Sequence, residues 1–270
     1  MESYKRKVSE AFDSVASIYD GWLDGSELNA VMRAESLKLL DSLFRPGFQV
    51  IDIGCGTGRE AVLLAKRGVK VVATDVSPAM TSITAKKAKS AGIGDIVLVR
   101  TMSAADIGIL RNEGMRFDGA YSSSGALNCE PDLRAVAEGI ASLLKPRSSL
   151  VISMVNRLCL SEIVLYASIG RPAKAFRRLA MPAKVTLENG AELETYLHTL
   201  RGAADAFRPN FELASAKGML VFLPPPYLEY HWQRSGPLKH LLSSLERSLA
   251  ARGPFRAFGD HYLLHFRRVE

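Results

Sequence analysis

The segment VIDIGCGTGRE, residues 50–60, constrains this chain more than any other. An apolar run broken by one acid, followed by glycines at 54, 56 and 58, reads as a short strand over residues 49–53 that opens into a tight turn. The turn feeds a helix over residues 59–67, which Gly68 stops. Strand, glycine loop and helix in one unit begin a parallel sheet, because parallel neighbours need a crossover to join them. Glycine suits such a loop where a ligand approaches the backbone closely and the turn needs unusual dihedrals.

The residues around the loop narrow the ligand. The dinucleotide fingerprint GxGxxG requires glycine where Arg59 stands, so the match to nicotinamide and flavin binders fails at its third glycine. Asp52, just ahead of the loop, repels a pyrophosphate and favours an ammonium such as that of a methionine moiety. Asp75, at the end of the next strand and 21 residues after Gly54, is spaced to accept from both ribose hydroxyls. Dinucleotide binders share that acid, so Asp75 speaks for a nucleoside without choosing the cofactor.

The alternation continues, with strands predicted at residues 69–74, 96–100, 119–122 and 149–155 and helices at 78–91 and 133–144, the latter stopped by Lys145 and Pro146. Ahead of it, Val8, Phe12, Val15 and Tyr19 recur at helical spacing in residues 5–19, and a second helix covers 27–43. After Val155 the rhythm breaks. Residues 158–169 read as a helix, 173–179 as a basic helix, and 184–198 as a hairpin turning at Glu188, Asn189 and Gly190. A helix at 199–207, a strand at 211–222, a helix at 238–252 and a strand at 261–267 follow. The expected division is N-terminal helices and cofactor-binding core at 1–155, a substrate-lid insertion at 156–209, and completion of the core sheet at 210–270.

Of the 270 residues 47% are hydrophobic and 23% charged, enough apolar surface for a globular core. Cys55, Cys129 and Cys159 have neither disulfide-framework nor zinc spacing, and the five histidines His198, His231, His240, His261 and His265 form no metal pattern. No metal is expected. The basic start has no apolar run behind it and no later stretch is long enough to span a bilayer, so a cytoplasmic protein is expected. The net charge of +7 is scattered, apart from short groups at 5–7, 86–89 and 177–178, which read as solvated helix faces. That argues against nucleic-acid and membrane partners and leaves the oligomeric state open. LPPPYLEY, residues 223–230, follows the sixth core strand, whereas the proline-proline-tyrosine motif of base-methylating enzymes follows the fourth. A rigid polyproline exit is therefore expected there.

With VIDIGCGTG, VVATDVSP, FDGAYSSSGALN and LLKPRSSLVIS in this order, the chain resembles the class I S-adenosylmethionine-dependent methyltransferases over most of residues 10–155. The opening AFDSVASIYD also looks like the helix that family often folds over its cofactor. The resemblance implies a Rossmann-like α/β fold: a seven-stranded, mostly parallel sheet with helices on both faces, and a small lid insertion after the fifth strand. S-adenosyl-L-methionine is the implied cofactor. On this resemblance Asp52 and the backbone of Gly54, Cys55, Gly56 and Gly58 hold the methionine end, Asp75 the ribose, and Val76 and Met80 the adenine faces. Ser122, Ser123 and Ser124 border the methyl group, and Tyr19 covers the sulfonium, although Tyr19 suits a core aromatic equally well. One departure stands out. Where relatives carry an acid after the third strand, this chain reads Met102, Ser103, Ala104, so the adenine contact passes to Ser103 or a carbonyl, with Asp106 a weaker substitute.

The resemblance implies an enzyme, a methyltransferase acting on a small-molecule acceptor, with oxygen, nitrogen and carbon acceptors all open. An RNA or protein methyltransferase and a non-catalytic cofactor-binding regulator are the alternatives. Leu158, Leu160, Ile163, Leu165, Tyr166 and Phe176 suggest a partly apolar acceptor, or simply the insertion's own core. If a base takes the acceptor's proton, His198 and His231 are the catalytic candidates, the second with Glu229 and Tyr230 beside it as orienting groups. Cys129, just beyond the fourth strand, is expected to be buried as a small hydrophobe.

Overall fold

The computed structural model describes residues 2–187 and 189–270. Glu188, in the expected hairpin turn, lies outside the described residues. Two helices, α1 (Glu2–Val15) and α2 (Tyr19–Asp24), stand where one was expected, because the chain turns at residues 16–18 and Tyr19 starts a new helix. Then come α3 (Glu27–Leu43), β1 (Gln49–Ile53), α4 (Arg59–Ala65), β2 (Lys70–Asp75), α5 (Pro78–Ser90), β3 (Val97–Thr101), β4 (Phe117–Ser122), α6 (Leu133–Leu143) and β5 (Leu144–Val155). Side-chain caps set several of the starts. Ser26 Oγ accepts from Asn29 N at 3.1 Å and Ser77 Oγ from Met80 N at 3.0 Å, while Asp132 caps α6. The helix stops ahead of Pro146 as expected, but β5 starts at Leu144 rather than at 149 and carries the proline near its beginning.

The sheet order is β3-β2-β1-β4-β5-β9-β8, with β8 (Phe211–Met219) and β9 (His261–Arg268) supplied by the C-terminal part. Six strands run one way. Only β9 is reversed, antiparallel to both β5 and β8. Sequence alternation decides the two faces: Val50 joins the layer with Leu40, Phe44, Leu64 and Val151, whereas Ile51 and Ile53 join the layer with Ile107, Val136, Ile140, Ile152 and Phe266. Strand order reverses between β1 and β4, which pair at Ile51 and Ala120, and such a reversal leaves a crevice outside the carboxyl ends of these strands.

Between β5 and β8 lie α7 (Leu160–Ser168), the short α8 (Pro172–Ala175), a two-stranded hairpin of β6 (Ala183–Thr186) and β7 (Glu192–Thr195), and α9 (Leu200–Phe207). The basic helix expected at 173–179 is broken: α8 ends at Ala175 and a single 3-10 turn covers Arg177–Leu179. Ala203 and Phe207 of α9 pack into the main core with Phe211 and Phe266, so this helix serves the sheet. β8 stops at Met219, where Leu220 takes a positive φ of 53°. Beyond it come α10 (Glu229–Gln233) and α11 (Pro237–Leu249).

Candidate active site

The glycine loop leaves β1 at the strand-order reversal. Gly54 and Gly58 are required by the protein itself. A Cβ on Gly54 would stand 2.3 Å from Ala126 Cβ, and one on Gly58 would stand 2.5 Å from Thr84 Cγ2, with φ near +75° at both. Gly56 differs, since its only near neighbour is the Tyr19 ring at 3.7 Å. The loop is thus tight underneath and faces an aromatic ring above.

Two buried acids flank it. Asp52 shares the face of Val50, opposite Tyr121 across the β1–β4 pair, and its Oδ2 has no hydrogen-bond partner. Burial pushes its carboxyl well above the usual range, and the nearby Glu60 and Asp75 add to the rise, against the facing Tyr121 hydroxyl. Asp75 ends β2 and organises the loop: Oδ2 accepts from Gly56 N at 2.8 Å and Oδ1 from Ser77 N at 2.9 Å. Its pKa is raised by burial as well, against these two bonds. An orphaned carboxylate oxygen beside a glycine cradle, with a second acid one strand away, suits a ligand that carries an ammonium and a diol. The residues therefore fit S-adenosylmethionine.

The other expected contacts are distributed unevenly. Met80 is fully buried beneath α1, against Val15, Ala16 and Tyr19. Val76 packs with Val8, Ala11 and Cys129. The Cys55 thiol points into the layer below the loop, 3.8 Å from Thr84 Oγ1, so only its backbone belongs to the cradle. Ser122 Oγ donates to Ile53 O at 2.7 Å, which ties β4 to β1, and Ser124 has a positive φ of 54° at the turn that follows. Met102 N donates to Asp75 O at 2.8 Å, and Ala104 begins a 3-10 helix capped by Ser103.

Several residues that the sequence reading left unassigned complete the site. Ser103 Oγ donates to Glu130 Oε1 at 2.9 Å, and Tyr4 OH donates to Glu130 Oε2 at 2.5 Å, so a buried acid does stand beside the third strand's end, delivered from beyond β4. Asp106 is engaged elsewhere, paired with Lys5 at 2.6 Å. Asp13 accepts from Ser77 Oγ at 2.5 Å and Ala79 N at 3.0 Å, while Asp20 bonds Thr57 Oγ1 at 2.6 Å and pairs with Lys87. These polar ties pin α1 and α2 across the carboxyl ends of the strands. The only sequence sign of them is the acids at 13 and 20 on a helix otherwise read for its apolar face.

A cavity of about 250 Å³ opens between α1 and the hairpin, lined by Tyr4, Val8, Cys129, Lys184, Leu193 and Tyr196 among others. Cys129 is its link to the cofactor residues, since it packs in one apolar cluster with Val8, Leu193 and Val76. Burial pushes its thiol up to about 12, so it stays protonated near neutrality. His198 follows the hairpin and bridges Asn156 at the end of β5; its Nε2 is buried without a partner, and burial with Arg157 lowers its pKa. His231 is exposed on α10. Of its expected orienting groups, Glu229 is turned away, accepting from Ser26 Oγ and Leu28 N to cap α3, whereas the Tyr230 ring stands edge-on to His231 at 5.5 Å and also stacks under Arg234. The structure does not bring the two histidines together.

Away from the loop, Cys159, Glu162 and Asp260 place potential ligand atoms within 4.8 Å of one another. The Arg178 guanidinium bonds both carboxylates, Glu162 Oε2 at 2.6 Å, and also the Asn156 and Asp260 carbonyls. Burial opposes the ionisation of Asp260, yet Arg178 and His261 hold its carboxyl well below the usual range. This is an ion-pair clamp on the insertion.

Fold and site together define a Rossmann-like domain whose glycine cradle and two buried acids fit S-adenosylmethionine. Residues 50–147 match the family model described as a methyltransferase domain. A ubiquinone biosynthesis O-methyltransferase of Xylella fastidiosa (strain M23) is 30% identical over 149 residues, which are 54% of this chain and 58% of that protein. The chain thus spans less than two thirds of the curated relatives it matches. Among solved structures, the cyclase SpnF aligns with 98% of this chain and 97% of its own at TM-score 0.63 and 16% identity. The geranyl diphosphate C-methyltransferase of Streptomyces coelicolor A3(2), crystallised with S-adenosyl-L-homocysteine, covers 88% of this chain and 79% of its own at TM-score 0.55 and 15% identity. At these identities the solved structures speak for the fold alone.

Proposed function

We propose that this chain transfers the methyl group of S-adenosylmethionine to a small-molecule acceptor held in the cavity between α1 and the hairpin. The observation that carries the reading is the unpartnered buried Oδ2 of Asp52 beside the Gly54–Gly58 cradle, a cation site that an amino-acid ammonium satisfies. When bound, the cofactor supplies a methyl group on an already activated sulfonium. Asp52 and the loop backbone hold its methionine end, and Asp75 accepts from the ribose while it keeps the loop closed. Ser103 and Glu130 take the adenine edge, between Val76 and Met80, and Tyr19 lies over Gly56 to exclude water. Ser122 to Ser124 border the path between loop and cavity, and Cys129 forms the boundary. What remains for the protein is alignment of the acceptor.

The acceptor atom is open, because the relatives' names include both O- and C-methylation. Where the acceptor loses a proton, His198 receives it, since its lowered pKa keeps the ring neutral and one nitrogen is unpaired. His198→Ala then loses roughly 10²- to 10⁴-fold in single-turnover rate together with the acidic limb of the pH profile, while His231→Ala keeps both. Parental behaviour in both variants removes the histidine from the mechanism. We place the protein in the cytoplasm, where its three free buried thiols stay reduced; no helix among the described residues is long and apolar enough to cross a membrane. The cavity assignment is tested with Leu193→Trp, which fills it. Turnover should disappear while calorimetry shows an unchanged affinity for S-adenosylhomocysteine. Retained turnover would move the acceptor elsewhere.

A further inference from the structure

Exposed apolar side chains are concentrated on one part of this molecule. Val164, Leu165, Ile169, Phe176, Leu179 and Met181 fall within 18 residues, and each is more than a third exposed. On α7, the exposed Val164, Ala167 and Ser168 lie on the side away from Glu162, whose carboxylate is buried against Arg177 and Arg178. The ion-pair clamp therefore decides which way the segment faces: the acid inward, the apolar side chains outward. Charge in this stretch has one sign. From residue 163 to 187 there are five cationic residues, Arg171, Lys174, Arg177, Arg178 and Lys184, and no acidic ones. Arg171 and Lys174 are exposed and have no carboxylate partner among the described residues; Lys174 lies 5.9 Å above the Tyr166 ring and Arg177 4.8 Å above that of Tyr227.

A protruding apolar group ringed by unpaired cations and aromatic rings matches a surface that is apolar beneath and anionic on top. We infer that residues 164–181 dock this protein onto the surface of a bilayer containing anionic lipid. Phe176, Ile169 and the outer side of α7 enter the boundary between headgroups and acyl chains, while Arg171 and Lys174 meet lipid phosphates. With nine residues α7 is far too short to span, so the attachment is peripheral and salt-sensitive. Lys184 belongs both to this basic stretch and to the cavity rim, so the docked face adjoins the cavity mouth. The inference does not depend on methyl transfer.

Flotation of the full chain with vesicles tests it. The protein should rise with vesicles of phosphatidylcholine and phosphatidylglycerol and stay behind with phosphatidylcholine alone, and millimolar inorganic phosphate should not compete. Arg171→Ala with Lys174→Ala should weaken the partitioning by about thirtyfold. Ile169→Ser with Phe176→Ser should abolish it although every cation remains. Both variants should melt as the parent does and bind S-adenosylhomocysteine equally well. Absence of flotation, equal flotation with neutral vesicles, or undiminished flotation of folded variants overturns the inference. So does competition by free phosphate, which would make this an anion site, or a parent that sediments as a dimer while Ile169→Ser with Phe176→Ser sediments as a monomer.

Discussion

The buried carboxyl of Asp52, with one oxygen unpaired, costs the folded chain stability unless a cation meets it. Its folded pKa lies above the unfolded value, so the native state holds the proton more tightly, and stability falls as pH rises from about 4 through the folded pKa. Asp52→Asn should remove that decline: without cofactor the variant melts at or above the parental temperature at pH 8, while its affinity for S-adenosylhomocysteine drops. A variant that melts lower and binds normally would make Asp52 a structural residue. The glycine loop offers a second test at the same scale. Gly54→Ala drives a methyl into Ala126 and should destabilise by roughly 1–3 kcal/mol in urea unfolding. Adding Ala126→Gly should recover part of the loss, the remainder being the strain of a positive φ. No recovery would mean that the contact is not what requires glycine there. The loop, Asp52 and Asp75 were legible because each answers to a spacing along one strand-loop-helix unit. Glu130 was not, because it reaches Ser103 across a separation of 27 residues that no local pattern records.

Among the elements, those set by periodicity and caps came out nearest to expectation. β1 and α3 occupy the expected spans, and both have alternating or helical apolar patterns with clear ends. The elements that moved are those whose ends depend on tertiary partners. The N-terminal helix breaks so that Asp13 and Asp20 can reach α5 and the loop, and the basic helix breaks so that Arg178 can turn inward between Glu162 and Asp260. That clamp makes a prediction of its own. Arg178→Leu takes the shared guanidinium from two buried carboxylates, leaving Glu162 only Arg177 and Asp260 only His261, and should cost about 3 kcal/mol. The loss should shrink at low pH, because Asp260, whose folded pKa is depressed, contributes stability above about pH 4 that disappears as pH falls. Equal stability of variant and parent at neutral pH would show that the clamp holds nothing.

At the scale of the whole molecule, the sheet and its strand-order reversal follow from the alternation of strands and helices, and the seven-stranded, mostly parallel expectation agrees with the observed order. The arrangement around the crevice was not legible. The sequence reading took the basic groups for solvated helix faces, whereas the fold gathers those of the insertion beside exposed apolar side chains. The insertion also contributes the hairpin that walls the cavity, so replacing residues 183–195 by a short linker should leave cofactor affinity nearly intact and abolish turnover. Simultaneous loss of binding would assign the segment to the folding core. Its boundary with α9 explains where such a deletion must stop, since Phe207 stacks on Phe266 at 5.2 Å.

The central claim is methyl transfer to a small molecule. Incubation with S-adenosylmethionine labelled in the methyl group and a fractionated cell extract addresses it directly. Label should appear in the low-mass fraction in step with S-adenosylhomocysteine, and both should fall together in Asp52→Asn. Label in RNA or protein, or cofactor bound tightly with no label transferred to any fraction, would contradict it.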